Sequence, residues 1–277
     1  MKKGINIGSF EQGKDLKSCM ELAKKAGFDG IELRIFDQGE LRIDSADEEI
    51  KAIRKTAEAV GIELKSLVSG LYWKYSFTHD SADVRQKAKE TVKRHLHGAS
   101  ILGADTILVI PGLIDIPESA HVPYDIAYER SLEAFKELGD EAAKYKINIG
   151  LENVWNKFLL SPLEFRDFID KTGSEYVGCY FDVGNILFIG YPEDWISILG
   201  NRIKKVHFKD YRKNAGAIGG FVDLLAGDVD FKAVMSALKK IGYDDYITAE
   251  MGTYKQYPDQ ILFNTAASMD RIIRFNG

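Results

Sequence analysis

Apolar and polar positions follow two patterns that alternate along the chain. Short runs that are apolar, or that alternate apolar with polar residues, predict β-strands. Stretches in which apolar residues return at three- and four-residue spacing predict amphipathic helices. The strand pattern occurs at residues 4–8, 30–34, 63–68, 106–110, 147–152, 177–182, 203–208 and 246–250. The helix pattern follows at residues 15–26, 47–60, 84–102, 126–145, 162–171, 192–199, 231–241 and 259–275.

Residues suited to helix ends mark the joints between these elements. Gly27, Gly61 and Gly103 follow helix patterns where a left-handed C-cap is expected, and Ser161-Pro162 predicts an N-cap and a first helical position. Eight units with short joints favour an α/β fold, a (β/α)₈ TIM barrel forming a single domain over residues 1–277. An open doubly wound sheet would give a similar string. We favour the barrel because it brings the reactive strand ends to one mouth.

Four strand patterns carry an acid or an imidazole near their C-terminal end, where parallel barrels place their chemistry. These residues are Glu152 in INIGLEN, Asp182 in YVGCYFDVGN, His207 in IKKVHFKDY and Glu250 in YITAEM. Side chains two apart on a strand point the same way, so the aliphatic neighbours should pack against helices while the four polar groups face the mouth.

Three carboxylates and one imidazole predict a catalytic site for one divalent metal ion. Mn²⁺ is favoured for this oxygen-rich set, and Mg²⁺, Co²⁺, Fe²⁺ or Zn²⁺ also fit. The alternative is that the acids form structural salt bridges with an inward lysine such as Lys205.

Composition narrows the choice of partners. The formal net charge of −5 gives no general attraction to nucleic acid or to an anionic membrane, so a small molecule is the expected partner. The N-terminal apolar run is broken at Asn6, Gly8 and Ser9, and no stretch reaches the length of a membrane span. Two cysteines are consistent with a reducing compartment, and a cytoplasmic location is predicted.

The segments GLENVWN, YFDVGN, VHFKDY, GDVDF and ITAEM resemble, in order and spacing, the sugar isomerase and epimerase branch of the xylose isomerase-like TIM barrels. The resemblance covers essentially the whole chain, and the nearest types are ketose 3-epimerases and L-ribulose or L-xylulose 5-phosphate 3-epimerases. It implies that Glu152, Asp182, His207 and Glu250 hold one divalent metal. It also implies that Glu152 and Glu250 form the acid–base pair that moves a proton through an enediolate.

The sequence departs from the free-sugar ketose 3-epimerases at two positions. Those enzymes have a histidine three residues after the aspartate ligand and a glutamate six residues after the first glutamate, whereas this chain has Asn185 and Phe158. The phosphorylated-sugar branch accepts an asparagine at the first position. Asn185 is therefore a substrate-binding candidate, with capping of a turn after the strand as its alternative.

Further substrate-binding candidates lie on the second predicted strand, at residues 30–34, and on the long connections at residues 71–83 and 209–230, which a barrel places over its mouth. Trp73 lies among Tyr72, Tyr75 and Phe77, an aromatic set that fits either a wall for a sugar or a cluster covering the rim. A cation at Arg212 could meet a phosphate or a distal hydroxyl. Glu32 with Arg34 fits either substrate binding or a pair that locks two strands.

These expectations give a metal-dependent sugar or sugar-phosphate isomerase or epimerase, with a ketose 3-epimerase preferred. Hydroxypyruvate isomerase and inosose dehydratase activities use the same scaffold and are alternatives. An endonuclease IV-like nuclease is disfavoured because it needs extra histidines and a basic surface. A non-catalytic sugar-binding barrel is the remaining alternative, and the resemblance further suggests a homodimer or homotetramer.

Overall fold

A computed structural model of the chain describes residues 1–116 and 121–274 and contains a closed parallel barrel. The barrel strands in chain order are β1 (Lys2–Asn6), β2 (Gly30–Arg34), β3 (Ser66–Val68), β4 (Thr106–Val109), β5 (Asn148–Glu152), β6 (Val177–Asp182), β7 (Ile203–Phe208) and β10 (Tyr246–Ala249). Each pairs with its neighbours in parallel, and β10 closes the ring by pairing with both β7 and β1. The predicted (β/α)₈ barrel is confirmed, and the open doubly wound alternative is wrong.

Helices connect the strands and form the outer layer. They are α1 (Leu16–Ala26), α2 (Asp47–Val60), α3 (Ala82–Leu102), α4 (Tyr124–Tyr145), α5 (Pro162–Thr172), α6 (Val183–Leu187), α7 (Pro192–Leu199), α8 (Phe231–Lys240) and α9 (Gln260–Ile273). Phe275, the last residue of the eighth helix pattern, lies outside the described residues. No helix in the described part of the chain combines the length and the apolarity needed to cross a bilayer.

Local sequence signals explain where several helices begin and end. The Ser161 hydroxyl accepts a hydrogen bond from the Glu164 backbone N–H at 3.2 Å, with Pro162 as the first helical residue, as predicted. Gly27 ends α1 at φ 94° and Gly61 ends α2 at φ 74°, a conformation that glycine adopts without a steric penalty.

The sequence misplaced two strand boundaries. The first strand ends at Asn6 rather than at residue 8, because the Asn6 side-chain oxygen accepts the Gly8 backbone N–H at 2.7 Å and turns the chain into a 3₁₀ helix at Ile7–Ser9. The third strand is shorter than predicted and begins at Ser66.

The long connection after β7 contains structure that the sequence did not predict. It forms a small antiparallel pair, β8 (Asp210–Tyr211) with β9 (Phe221–Val222). The buried Asp210 carboxylate holds the returning segment by accepting backbone N–H groups of Gly227 at 2.9 Å and Val229 at 3.2 Å. This connection lies beside the C-terminal ends of β7 and β10.

The main core lies between the barrel wall and the helices. Ile149, Leu151, Val206 and Ile247, which alternate with polar inward positions, are fully buried there. Their partners in the alternation face the barrel interior and its mouth, which is the arrangement expected from the pleat. Packing of the aliphatic face therefore fixes the direction of the polar side chains.

Candidate metal and substrate site

The structure brings together the four polar residues at the strand ends. Glu152 ends β5, Asp182 ends β6, His207 lies one residue before the end of β7, and Glu250 follows β10. Asp182 is paired with His207 across the β6–β7 ladder, and His207 with Thr248 across β7–β10. One ligand atom from each of the four residues lies within 4.8 Å of the others. The four residues thus form one cluster at the C-terminal ends of four adjacent strands, β5, β6, β7 and β10.

Two buried atoms of this cluster fit a cation. His207 Nδ1 is buried without a hydrogen-bond partner, 3.9 Å from Asp182 Oδ2, and Asp182 Oδ2 itself faces the Lys209 ammonium at 2.9 Å. An imidazole nitrogen without a hydrogen bond beside buried carboxylates fits ligation of a metal ion. A donor set of carboxylate oxygens and one imidazole nitrogen suits a divalent ion. Glu152, Asp182, His207 and Glu250 therefore form a site that fits a divalent metal.

Glu32 fixes the orientation of His207. The second ring nitrogen, Nε2, donates its proton to Glu32 Oε2 at 2.7 Å, which directs Nδ1 towards the cluster, where it would bind a metal ion on losing its proton. Glu32 also accepts hydrogen bonds from Asn6 at 2.6 Å, from Ser66 at 2.6 Å and from the Tyr180 hydroxyl. Burial alone would raise the pKa of Glu32, but the His207 charge and these donors hold it below its usual range.

The structure therefore places Glu32 beneath His207 rather than at a surface open to substrate. The Glu32 side chain is buried, and its carboxylate is surrounded by protein donors. The pair with Arg34 that was considered from the sequence is not formed. The residue acts on the site through the imidazole.

Lys209 was not among the predicted site residues. Its ammonium lies 2.9 Å from Asp182 Oδ2 and 2.8 Å from Glu250 Oε2. Burial would lower the pKa of Lys209, but the charges of Asp182, Glu250 and Glu152 raise it well above its usual value. The sequence did contain a signal for this position, because Lys209 lies two residues after His207 and so shares its direction.

The environments of the two glutamates push their pKa values apart. Burial raises the pKa of Glu152 to about 8, and the charges of Glu250 and Asp182 add to that effect against the opposing charge of Lys209. Burial would also raise the pKa of Glu250, but Lys209 and His207 bring it well below its usual range. Without a metal ion, the Glu152 carboxylate therefore binds a proton more readily than the Glu250 carboxylate.

Two asparagines form hydrogen bonds to residues of the cluster. The Asn185 amide donates to Glu152 Oε1 at 3.3 Å and to the Asn153 carbonyl at 3.0 Å. Asn153 binds both the backbone N–H and the carbonyl of Asp182, at 2.9 and 2.8 Å. Asn185 thus contacts an acid of the cluster, and its backbone N–H is capped by Asp182 at 2.8 Å. Asn153 was missed because it follows Glu152 and therefore points to the other side of the strand.

A cavity of about 390 Å³ opens over the cluster at the barrel mouth. Its lining includes Glu152, His207 and Glu250 on one side and Arg34 and Trp73 on the other. Trp73 is 43% exposed, so its ring is available to a ligand.

The aromatic residues of the connection at residues 71–83 do not share one role. Some of them form the predicted cluster at the rim, and one lines the cavity as the predicted sugar wall would. Tyr72 and Phe77 are buried and stack on each other with ring centroids 6.0 Å apart, and the Tyr72 hydroxyl bonds His95 Nδ1 at 2.8 Å. Tyr75 is partly buried against the core and does not line the cavity of the cluster. Of the four aromatic residues, Trp73 is the one in the lining of that cavity.

Other residues considered from the sequence lie away from the cluster. Arg212 does not line the cavity, and its Nε donates to the Ala226 carbonyl at 3.0 Å. Lys205 is buried at the opposite end of the barrel, where it pairs with Asp105 at 2.8 Å and with Asp245. The alternative considered from the sequence, a salt bridge between the strand-end acids and an inward lysine, is therefore formed by Lys209 and not by Lys205.

The chain is similar in sequence and in structure to known sugar-processing barrels. The family described as Xylose isomerase-like TIM barrel matches residues 20–273. A putative L-ribulose-5-phosphate 3-epimerase of Escherichia coli (strain K12) is 25% identical over 267 residues, 90% of this chain and 89% of that protein. An inosose dehydratase of Geobacillus thermodenitrificans (strain NG80-2) is 24% identical over 267 residues, 87% of this chain and 82% of that protein. A crystal structure of a D-tagatose 3-epimerase-like protein superposes with a TM-score of 0.82 at 22% identity, covering 99% of this chain and 97% of that one.

Proposed function

The chain belongs to the xylose isomerase-like TIM barrel family, and from this premise we propose that it is a divalent-metal-dependent ketose 3-epimerase. The observation that carries the proposal is the cluster of Glu152, Asp182, His207 and Glu250, with ligand atoms within 4.8 Å of one another. The resemblance to a putative L-ribulose-5-phosphate 3-epimerase over most of both chains supports the same reaction class.

Epimerisation at a carbon next to a ketone needs a base on one face and an acid on the other. Glu152 on β5 and Glu250 after β10 approach the cluster from different strands, and their pKa values are shifted in opposite directions. We assign Glu152 and Glu250 as the acid–base pair, in which one carboxylate removes the C3 proton and the other delivers a proton to the opposite face. The reverse reaction exchanges these roles.

The metal would be held by Glu152, Asp182, His207 and Glu250, with Mn²⁺ favoured and Mg²⁺, Co²⁺ or Zn²⁺ as alternatives. When bound, such an ion supplies Lewis-acid stabilisation of the negative charge that develops on the substrate oxygens. The protein contributes the orientation of these ligands. Glu32 holds the His207 ring, and Asn185 holds the Glu152 carboxylate.

Trp73 is assigned to the substrate surface. It is exposed in the cavity over the cluster, and an indole face packs well against the C–H face of a sugar. Arg212 has no contact in the cavity and is not part of the proposed substrate site.

Dehydration of an inosose is the second candidate, because an inosose dehydratase matches most of this chain. Both reactions begin with removal of a proton next to a carbonyl, but only dehydration eliminates water. Aldose–ketose isomerisation, as in hydroxypyruvate isomerase, moves the carbonyl instead. Product analysis therefore separates the three activities.

The nuclease alternative has little support from the described residues. The cluster at Glu152 is the one group there that could hold a metal. His95 is buried against Tyr72, and His97 contacts Asp47 on the helix surface. Neither histidine can enlarge the cluster into a multi-metal site. Assembly as a dimer or tetramer and a cytoplasmic location stay predictions.

The test is solvent exchange. Ketopentoses, ketohexoses and their phosphates are incubated with the Mn²⁺-loaded protein in D₂O, and NMR reports deuterium at each carbon. We expect label at C3 together with the C3 epimer. Glu152→Gln and Glu250→Gln should each abolish the label, while Glu137→Gln, an exposed glutamate on α4, should retain it. Absence of label at every carbon, or full exchange in both site variants, would refute the proposal.

A further inference from the structure

Arg34 is a cation in the cavity with no protein partner. It is the last residue of β2 and shares its direction with Glu32, two residues earlier. Its side chain is exposed and lines the same cavity as Glu152, His207 and Glu250. Within residues 1–116 and 121–274, its guanidinium makes neither an ion pair nor a hydrogen bond. Most guanidinium groups near carboxylates form such pairs, so this one is available to a ligand.

The carboxylates nearest along the chain are occupied by other groups. Glu32 receives four hydrogen bonds from protein donors, including His207, and Asp37 pairs with Lys74 at 3.4 Å. Other arginines show what the chain does elsewhere. Arg54 pairs with Glu58 at 2.9 Å on a helix surface. Near Arg34, by contrast, the carboxylates bind other donors, so none of them pairs with its guanidinium.

The backbone makes room for the guanidinium. A side chain at Gly8 would place its Cβ 2.9 Å from Arg34 Nη2 and 2.9 Å from Asn6 Oδ1, which is closer than real Cβ atoms approach. Gly8 has no positive φ, so its role here is space rather than backbone conformation. The loop after β1 therefore accommodates Arg34 in the position that faces the cavity.

The distance between the cluster and Arg34 also matches the length of a small sugar. Glu32 contacts the metal-facing imidazole, and Arg34 lies two residues further along the strand, about 7 Å towards the mouth. This separation is comparable to the distance from C3 of a ketose to a group on its terminal carbon, so a substrate that lies along β2 would place that group at Arg34. Guanidinium binds phosphate and carboxylate with paired N–H donors.

We propose that Arg34 binds an anionic group at the end of the ketose remote from its carbonyl, so that the substrate is a sugar phosphate or a keto-sugar acid rather than a neutral ketose. This inference rests on the proposed function. It names the substrate class for the same site. A neutral hydroxyl in this position would leave the guanidinium charge uncompensated, which makes it the weaker occupant.

The test is a titration of the Mn²⁺-loaded protein with three ligands: a ketopentose, its 5-phosphate and the corresponding uronate. We expect one of the two anionic ligands to bind at least about 10- to 100-fold more tightly than the neutral sugar, the range for charge-assisted hydrogen bonds. Arg34→Gln should remove this preference. Arg34→Lys, which keeps the charge without paired donors, should retain part of it.

Two control variants sharpen the result. Arg166→Gln removes an exposed arginine of α5 that pairs with Asp167, and it should preserve the preference. Gly8→Ala keeps the charge but displaces the guanidinium, and it should reduce the preference. Equal binding of all three ligands by the wild type, or an anion preference that persists in Arg34→Gln, would overturn the inference. The exchange assay is scored separately, so a chain that prefers the anion but labels no carbon would refute the proposed reaction and leave the role of Arg34 standing.

Discussion

His207 Nε2 lies 2.7 Å from Glu32 Oε2, although the two residues are 175 positions apart in the chain. This contact aligns the imidazole so that Nδ1 faces Asp182 and Glu250, at 3.9 and 3.3 Å. Metal-binding histidines commonly donate their second nitrogen to a carboxylate in this way, which fixes the tautomer and increases the basicity of the ligand atom. Glu32 therefore supports the metal site through His207, although its own carboxylate does not line the cavity.

Glu32→Gln should lower the affinity for Mn²⁺ by roughly 10- to 100-fold, the usual effect of removing such a partner. The amide has a similar shape, but it lacks the charge that favours the aligned imidazole. Calorimetric titration of the metal-free protein measures the affinity, and thermal unfolding checks that the variant is folded. Glu137→Gln serves as the control. A folded Glu32→Gln variant with wild-type affinity would show that the orientation of His207 does not depend on Glu32.

Lys209 should stabilise the protein in the absence of metal. Its ammonium lies within 2.9 Å of two carboxylates that would otherwise repel each other. Lys209→Met should therefore have a lower melting temperature than the wild type in EDTA. Saturating Mn²⁺ should then raise the melting temperature of the variant by about 3 °C or more beyond the increase seen in the wild type. Lys209→Arg keeps the charge and should behave more like the wild type. An unchanged metal-induced increase in Lys209→Met would contradict this role.

The sequence was sufficient for the barrel and for the four clustered residues because both depend on local periodicity. Alternation along β5, β6 and β7 determines which side chains face inward, and parallel strands bring their C-terminal ends to one mouth. Lys209 follows from the same alternation and could have been predicted. The role of Glu32 could not, because its contact with His207 depends on which strands face each other across the barrel.

Loop residues were less predictable because no periodicity fixes their direction. Arg212 follows β7 as Lys209 does, yet the antiparallel pair β8–β9 carries it away from the cavity, held by the Asp210 carboxylate and the backbone of the returning segment. Neighbouring aromatic residues in the third connection also diverge. Trp73 is exposed at the cavity, and Tyr72 is buried beside it in sequence. Only the tertiary contacts distinguish them.

Trp73 and Tyr72 provide a matched pair of substitutions. Trp73→Ala should lower the free energy of unfolding by about 1–2 kcal/mol, because 43% of the residue is exposed and only the remainder is packed. It should raise KM for the ketose roughly 5- to 10-fold through loss of the aromatic wall. Tyr72→Ala should instead destabilise the protein by about 3–5 kcal/mol, since it removes a buried ring. Urea unfolding and steady-state kinetics measure the two effects. An unchanged KM in Trp73→Ala would remove this residue from the substrate site.

His95 should make the protein sensitive to acid. Burial lowers its pKa to about 3, and Nδ1 bonds the Tyr72 hydroxyl at 2.8 Å, so the imidazole is neutral when folded. In the unfolded chain its pKa is about 6.5. Below pH 6.5 the unfolded state therefore binds a proton that the folded state does not, and stability falls as the pH decreases towards 3. Between pH 7 and pH 5 this effect amounts to about 2 kcal/mol.

The comparison variant is His95→Gln, which retains a hydrogen-bonding group for Tyr72 but does not titrate. Free energies of unfolding in urea at pH 7 and pH 5, with EDTA present, give the loss of stability for each protein. Carboxylates contribute equally to both, so their effects cancel in the difference. We expect the wild type to lose about 2 kcal/mol more than the variant over this interval. Equal losses would mean that His95 accepts a proton in the folded state, which its burial beside Tyr72 makes unfavourable.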